Sequence, residues 1–143
     1  MSFFGIMHEW ALAESIIITA LENAKKNHIK ILTDMTIQLG ELQQIEQDIL
    51  KFALTEILTQ HSQNKQHVSF HIKIEYTKLR CTYCQKTWGF KELKNTISSE
   101  EAEAIHFLPE VAFAHTRCPY CGKPDFEIIK GRGVSLLSIK GKG

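Results

Sequence analysis

Val68-Ser69-Phe70-His71-Ile72-Lys73-Ile74-Glu75-Tyr76 runs almost directly into Cys81-Thr82-Tyr83-Cys84. Val68, Phe70, Ile72, Ile74 and Tyr76 alternate with Ser69, His71, Lys73 and Glu75, the period of two that marks a half-buried strand. The cysteine pair at its end has a counterpart, Cys118-Pro119-Tyr120-Cys121-Gly122, beyond residues 85–117. The chain has 4 cysteines, so none is left over. Two-residue spacing lets both sulfurs of one turn face the same ion, and four thiolates complete a closed tetrahedral zinc shell. Cys81, Cys84, Cys118 and Cys121 are therefore the expected ligands of a structural Zn(2+), with Pro119 stiffening the second turn and Gly122 permitting its tight backbone. A redox dithiol would use one such motif at a helix start within a βαβ pattern, which this chain lacks.

Outward from the strand, the first half of the chain reads as helix, strand, helix. Trp10, Ala13, Ile17, Ala20, Leu21 and Ala24 recur at three- and four-residue steps, predicting a helix from His8 to about Lys26. Thr33, Met35, Ile37 and Leu39 alternate with polar residues up to Gly40, predicting a strand. Ile49, Ala53 and Ile57 beside Leu50, Leu54 and Leu58 predict a second helix from about Glu46 to Gln60.

Between the cysteine pairs, Ser98-Ser99-Glu100-Glu101 fits a capping box opening a short helix through Ala102 to about His106, with Pro109 as its stop. After Cys121, Phe126 to Ile129 and Val134 to Ile139 read as strands about a Gly131-Arg132-Gly133 turn. The last strand is expected to return to the first sheet. The fold class is α+β: a small mixed sheet of about three strands with two helices, plus an inserted zinc-ribbon-like module. The expected boundaries are residues 1–78 with 132–143 for the α/β domain, and 79–131 for the module.

A chain of 143 residues has room for one ordinary domain, or for a small domain plus a metal-stapled module. Its formal charge of +1 gives no electrostatic case for nucleic acid, and no interleaving of basic residues with aromatics is expected near Cys81 and Cys118. Lys130, Arg132, Lys140 and Lys142 read as a solvated basic tail. No apolar window reaches membrane-spanning length, and Met1 to Ile6 has no basic n-region. The expected setting is the cytoplasm, where reduced Cys-x-x-Cys pairs favour metal over disulfides.

Met7-His8-Glu9 is a weak signal alone, since a Glu at a helix start also suits the helix dipole. A zincin-type hydrolase needs His-Glu-x-x-His, and the position that would carry the second histidine is Leu12. A zinc-ribbon module binding nucleic acid or another protein is the alternative of a different class.

Met7-His8-Glu9-Trp10-Ala11-Leu12-Ala13, Leu39-Gly40-Glu41-Leu42, the two cysteine pairs and Lys130-Gly131-Arg132-Gly133-Val134 occur in that order. Together they resemble the HypA/HybF family of nickel metallochaperones for [NiFe]-hydrogenase maturation. The insert Ile105-His106-Phe107-Leu108-Pro109-Glu110 looks like the archaeal-type branch. The resemblance implies a binding protein, not an enzyme, that carries Ni(2+) as transient cargo in the α/β domain beside a zinc domain.

By resemblance, His8 is the principal nickel ligand, with Glu9 a ligand or close neighbour. Glu46 stands where relatives carry an acidic residue near nickel, and His106 matches a histidine that the zinc domain can bring to the ion. The bland reading of His106 is a histidine over the last carbonyls of its helix. His28, His61, His67, His71 and His115 are taken as solvated or structural. The implied partners are a HypB-like maturation GTPase and the hydrogenase large subunit, with urease a related destination where a host has one. A homodimer is compatible with the resemblance.

One departure stands out. In the family the Met of this motif is the first residue, so its amine and the following amide and imidazole nitrogens form a flat chelate that suits Ni(II). Here six residues precede it. Either the chain's functional start is Met7, which the undisturbed match from Trp10 onward favours, or the site leans on His8, Glu9, Glu46 and His106.

Overall fold

A computed structural model of the chain describes residues 3–61, 67–94, 98–107 and 116–143. The elements run α1 (Phe3–Lys26), β1 (Ile31–Gly40), a 3₁₀ turn (Glu41–Gln43), α2 (Gln47–His61), β2 (Ser69–Glu75), β3 (Lys78–Cys81), β4 (Thr87–Trp88), α3 (Phe90–Lys94), α4 (Ser99–Phe107), β5 (Phe126–Lys130) and β6 (Val134–Lys142). The fold is α+β, as the patterning predicts. Contacts divide it into two compact units: Met1–Gln38 with Ile45–Lys73 and Val134–Gly143, and Leu39–Gln44 with Ile74–Gly133. The first cut falls a few residues before the 78/79 boundary read from the sequence, and Leu39–Gln44 groups with the cysteine module.

In the first unit α1 packs on α2. Ala13, Ile16, Ile17, Ala20 and Ala24 of α1 are buried, and so are Leu50, Ala53, Leu54, Ile57 and Leu58 of α2. Trp10 meets Phe52 edge to face at 6.1 Å, a geometry the ring quadrupoles favour. The start of α1 differs from expectation: the helix begins at Phe3, so Met7-His8-Glu9 lies inside it rather than ahead of it. Within Phe3–Ile6 only Gly5 opposes helix, at a cost of about 1 kcal/mol.

The other end of α1 is closed by a Schellman motif. The Ile29 amide donates to the Ala24 carbonyl at 2.8 Å and the His28 amide to that of Lys25 at 3.3 Å. His28 takes the left-handed conformation, φ 58°, that this cap requires.

The first sheet has the order β2-β1-β6. Lys30 donates to the Lys142 carbonyl and Gly40 to that of Gly133, so β6 runs antiparallel to β1. β2 follows β1 through the α2 crossover. His71 of β2 stands beside Asp34 of β1, and Glu75 beside Gly131 at the Gly40 end, so β2 runs parallel to β1, as a helical crossover permits. The sheet is therefore mixed, and the last strand does return to it. Lys130, Arg132, Lys140 and Lys142 are exposed, as expected of solvated charges, but Lys130 lies in β5 and Lys140 and Lys142 lie in β6 rather than in a tail. Met35, Ile37 and Leu39 are buried in the alternation expected of β1, with Thr33 half-buried on the same row and Leu32 buried off it. Tyr76 lies beyond the end of β2 and is 71% exposed, against its expected place on the buried row.

The second unit is a three-stranded antiparallel sheet, order β4-β3-β5. Leu79 faces Trp88 on one side and Ile128 on the other, and Cys81 faces Phe126. Its core joins Leu42, Leu79, Cys81, Trp88, Leu93, Cys118 and Phe126, with the Trp88 and Phe126 rings edge to face at 5.4 Å. The capping box forms as read: the Ser98 amide donates to Glu101 Oε1 at 3.0 Å and the Glu101 amide to Ser98 Oγ at 3.1 Å. The expected stop at Pro109 lies outside the described residues. β4 and α3 were not legible, since two and five residues are too short to show a period.

Candidate metal centre

Two short turns carry the four thiols, and they are built alike. In the first, the Gln85 amide donates to the Cys81 carbonyl at 3.1 Å and the Cys81 amide to the Lys86 carbonyl at 3.0 Å. In the second, Gly122 donates to Cys118 at 2.9 Å and Cys118 to Lys123 at 3.0 Å. The residue after each second cysteine has positive φ, 64° at Gln85 and 76° at Gly122. This closes the turn and aims amides at sulfur. Tyr83 donates to Cys81 Sγ at 3.4 Å, Cys84 to the same sulfur at 3.5 Å, and Tyr120 to Cys118 Sγ at 3.4 Å.

The sulfurs of the two turns interleave. Cys81 Sγ lies 3.5 Å from Cys121 Sγ and Cys84 Sγ lies 3.6 Å from Cys118 Sγ. All four lie within 4.8 Å of one another. None is disulfide-bonded. A tetrahedral ion with metal–sulfur bonds of about 2.3 Å separates its sulfurs by about 3.8 Å, so the four thiols fit zinc. Among the described residues this is the one group of three or more Cys, His, Asp and Glu side chains close enough to hold an ion.

The amides also set the protonation of the cluster. Donation from the Cys84 amide, aided by that of Tyr83 and by the neighbouring thiols, brings Cys81 down to about 7 against the effect of burial. Burial pushes Cys118 up, yet the Cys121 and Tyr120 amides outweigh it and the net direction is down. At Cys121 the Lys123 amide works downward, but burial and the surrounding thiols raise it to about 11. A divalent cation replaces these shared protons and makes all four sulfurs thiolates.

The nickel candidates fall on different elements. His8 is the sixth residue of α1, and Glu9 beside it is fully buried, 0% exposed. Glu46 is exposed just before α2, where its carbonyl accepts the Leu50 amide at 3.0 Å. His106 is the penultimate residue of α4, in the second unit. The side chains of His8 and His106 are outside the described residues. Of the histidines taken as structural, His28 caps α1 and His71 Nε2 pairs with Asp34 Oδ1 at 3.0 Å. His115 lies outside the described residues.

Two features escaped the sequence. The Lys86 ammonium stands over the Tyr120 ring at 5.0 Å and Lys123 over Tyr83 at 4.3 Å. Basic and aromatic residues are thus interleaved in space beside the cysteines, contrary to the linear reading. The signal was the repeat Cys-x-Tyr-Cys-x-Lys, present twice. The second feature is the role of two of the motifs. Leu42 donates to the Gly131 carbonyl at 2.8 Å, Gly131 to Glu75 Oε1 at 2.9 Å, and Thr77 to Glu41 Oε1 at 2.9 Å. Leu39-Gly40-Glu41-Leu42 and Lys130-Gly131-Arg132-Gly133-Val134 thereby lock together at the root of the cysteine module.

Residues 7–141 match the family model described as hydrogenase/urease nickel incorporation, metallochaperone, hypA. The hydrogenase maturation factor HypA of Thermococcus sibiricus is 42% identical over 137 residues, covering 96% of this chain and 98% of the relative. That of Pyrococcus abyssi is 40% identical over 134 residues, covering 94% and 95%. In fold, the chain resembles the solution structure of the Ni metallochaperone HypA from Helicobacter pylori, with a TM-score of 0.59 at 18% identity over 94% of this chain and 97% of that one. With the order of its motifs, its α+β fold and its four-cysteine cluster, the chain belongs to the HypA family of nickel metallochaperones, which are hydrogenase maturation factors and not enzymes.

Proposed function

We propose that this chain binds Ni(II) as transient cargo and delivers it during maturation of a [NiFe]-hydrogenase. The observation that carries the reading is the family match over residues 7–141, which spans both units. His8 is the principal ligand, with Glu9, Glu46 and His106 as further ligands or close neighbours. Nickel binding belongs to residues 1–78 and 132–143, and residues 79–131 hold zinc. A carrier must release its ion, which a closed four-thiolate shell does not suit.

Cys81, Cys84, Cys118 and Cys121 hold a structural Zn(II), supported by their spacing of 3.5–3.6 Å across the two turns. That shell has no open position, so zinc shapes the second unit without taking part in transfer. The partners are a HypB-like GTPase and the hydrogenase large subunit, or a urease where the host has one, in the cytoplasm. Among the described residues no helix is long and apolar enough to cross a membrane.

The test is Ni(II) titration of the zinc-loaded protein by calorimetry. One Ni(II) per chain, lost in His8→Ala with zinc content unchanged, is the expected result. Absence of nickel binding, or binding indifferent to His8→Ala, overturns the assignment.

A further inference from the structure

The two turns repeat more than their cysteines. Cys81-Thr82-Tyr83-Cys84-Gln85-Lys86 and Cys118-Pro119-Tyr120-Cys121-Gly122-Lys123 share one pattern and one set of backbone hydrogen bonds, and each lysine crosses to the tyrosine of the other turn. The two halves thus repeat the same turn and make reciprocal contacts. We propose that these paired turns are a docking surface for an acidic segment of a partner protein, with Tyr83–Lys123 and Tyr120–Lys86 as two equivalent subsites. The inference rests on a metal-closed cysteine cluster and is independent of the nickel ligands.

Exposure is the first support. Tyr83 and Tyr120 are 58% and 56% exposed, and Lys86, Arg117 and Lys123 are exposed beside them. Each tyrosine sits next to a cysteine of the cluster, so its backbone is fixed before any partner arrives. Rigid aromatic anchors of this kind lose little entropy on binding.

Charge is the second. The segments Cys81–Lys86 and Arg117–Asp125 carry Lys86, Arg117 and Lys123 against the single carboxylate of Asp125. Among the described residues none of these three cations has a carboxylate within salt-bridge distance. Arg117 donates only to the Gly122 carbonyl, at 3.4 Å. Neither lysine ammonium donates to a cluster sulfur; each stands over a ring instead. The metal-closed cluster carries a net negative formal charge that these cations offset at a distance, but its sulfurs do not engage their N–H donors.

The donor pattern selects the partner. Each subsite offers a phenol O–H and an ammonium, which a carboxylate accepts together. The lysine covers one face of each ring, which leaves a stacked base at most the other. A protein segment carrying two or more Asp or Glu residues satisfies both subsites at once.

The test uses the ¹⁵N-labelled, zinc-loaded full chain, titrated with decaglutamate and separately with decathymidylate. Decaglutamate is expected to shift the amides of residues 82–86 and 117–123 saturably, and the shifts weaken as salt is added. Lys86→Ala with Lys123→Ala is expected to raise the dissociation constant about tenfold while zinc stays at one per chain. Tyr83→Ser with Tyr120→Ser is expected to weaken binding as well. The lysine pair contributes no metal ligand, so it carries the test alone if the tyrosine variant loses zinc. Absent shifts, shifts centred on β6, an unchanged constant in the lysine variant, or tighter binding of decathymidylate at the same amides each overturn the proposal.

Discussion

Gly40 lies so close against Gly131 that a Cβ built on Gly40 would overlap the Gly131 carbonyl oxygen. Gly131 in turn has its own Cα against Thr77, where a Cβ would come within 2.5 Å of the Thr77 Cα, and its φ is +99°. The backbone hydrogen bonds of Leu42, Thr77 and Gly131 all depend on this approach.

Gly131→Ala adds a strained dihedral and a collision with backbone that cannot yield. The dihedral costs about 1–3 kcal/mol and the overpacking about as much again. Gly133 has a similar φ of +87° but nothing within 4 Å of its Cβ position. Gly133→Ala should therefore cost only about 1–2 kcal/mol. Urea unfolding of the two variants tests the difference: the midpoint falls more for Gly131→Ala. Equal midpoints would refute the lock between the two motifs.

Cys81→Ser removes one sulfur from the cluster and leaves a hydroxyl in a site that is fully buried. Cys81 and Cys118 also belong to the core formed with Leu79, Trp88 and Phe126. Loss of the ion should melt that core, while α1 and α2 keep their own buried rows. Zinc content should fall, Trp88 fluorescence should shift to that of an exposed indole, and far-ultraviolet helical signal should largely persist. A strong chelator should reproduce this in the parent chain. Complete loss of helix in either case would show that the first unit cannot stand without the second.

Asp34 is held below its ordinary value of 3.8, first by the hydrogen bond from His71 and then by that from Thr33. A carboxylate with a depressed folded value stabilises the fold fully above its unfolded value and loses that contribution as pH falls through the folded one. The stability difference between the parent chain and Asp34→Asn should therefore be constant at neutral pH and shrink in acid, below about 4. The pair is exposed, so added salt should reduce the difference. A difference that grows on acidification would refute the pairing.

The legible parts of the fold were those whose periodicity outlasts a turn or two. β1 and α2 show their inner rows in one dimension, and the cysteine spacing names its own geometry. The strand expected to lead into Cys81, however, stops at Glu75, and a separate strand, β3, carries that cysteine. The Ser98–Glu101 capping box was readable because both partners lie within four residues. What stayed hidden depends on residues far apart in the chain. The approach of Gly40 to Gly131 and the crossing of Lys86 to Tyr120 exist only once the strands are paired. The extension of α1 back to Phe3 was missed because Phe3, Phe4 and Ile6 carry no cap and no stop.

That extension bears on nickel. Inside a helix beginning at Phe3, the amide at position 8 is committed to the carbonyl four residues back. A flat chelate through the His8 amide needs that nitrogen deprotonated and free, so residues 1–6 and amide coordination compete. Under the proposed function, a chain starting at Met7 supplies a terminal amine and an uncommitted amide together with the imidazole. It should bind Ni(II) more tightly than the full chain, with the yellow absorption of square-planar nitrogen coordination. The full chain, holding nickel through side chains alone, should lack that band and show weaker affinity in calorimetry. Equal affinities and identical spectra for the two forms would show that the helix end has no part in the site.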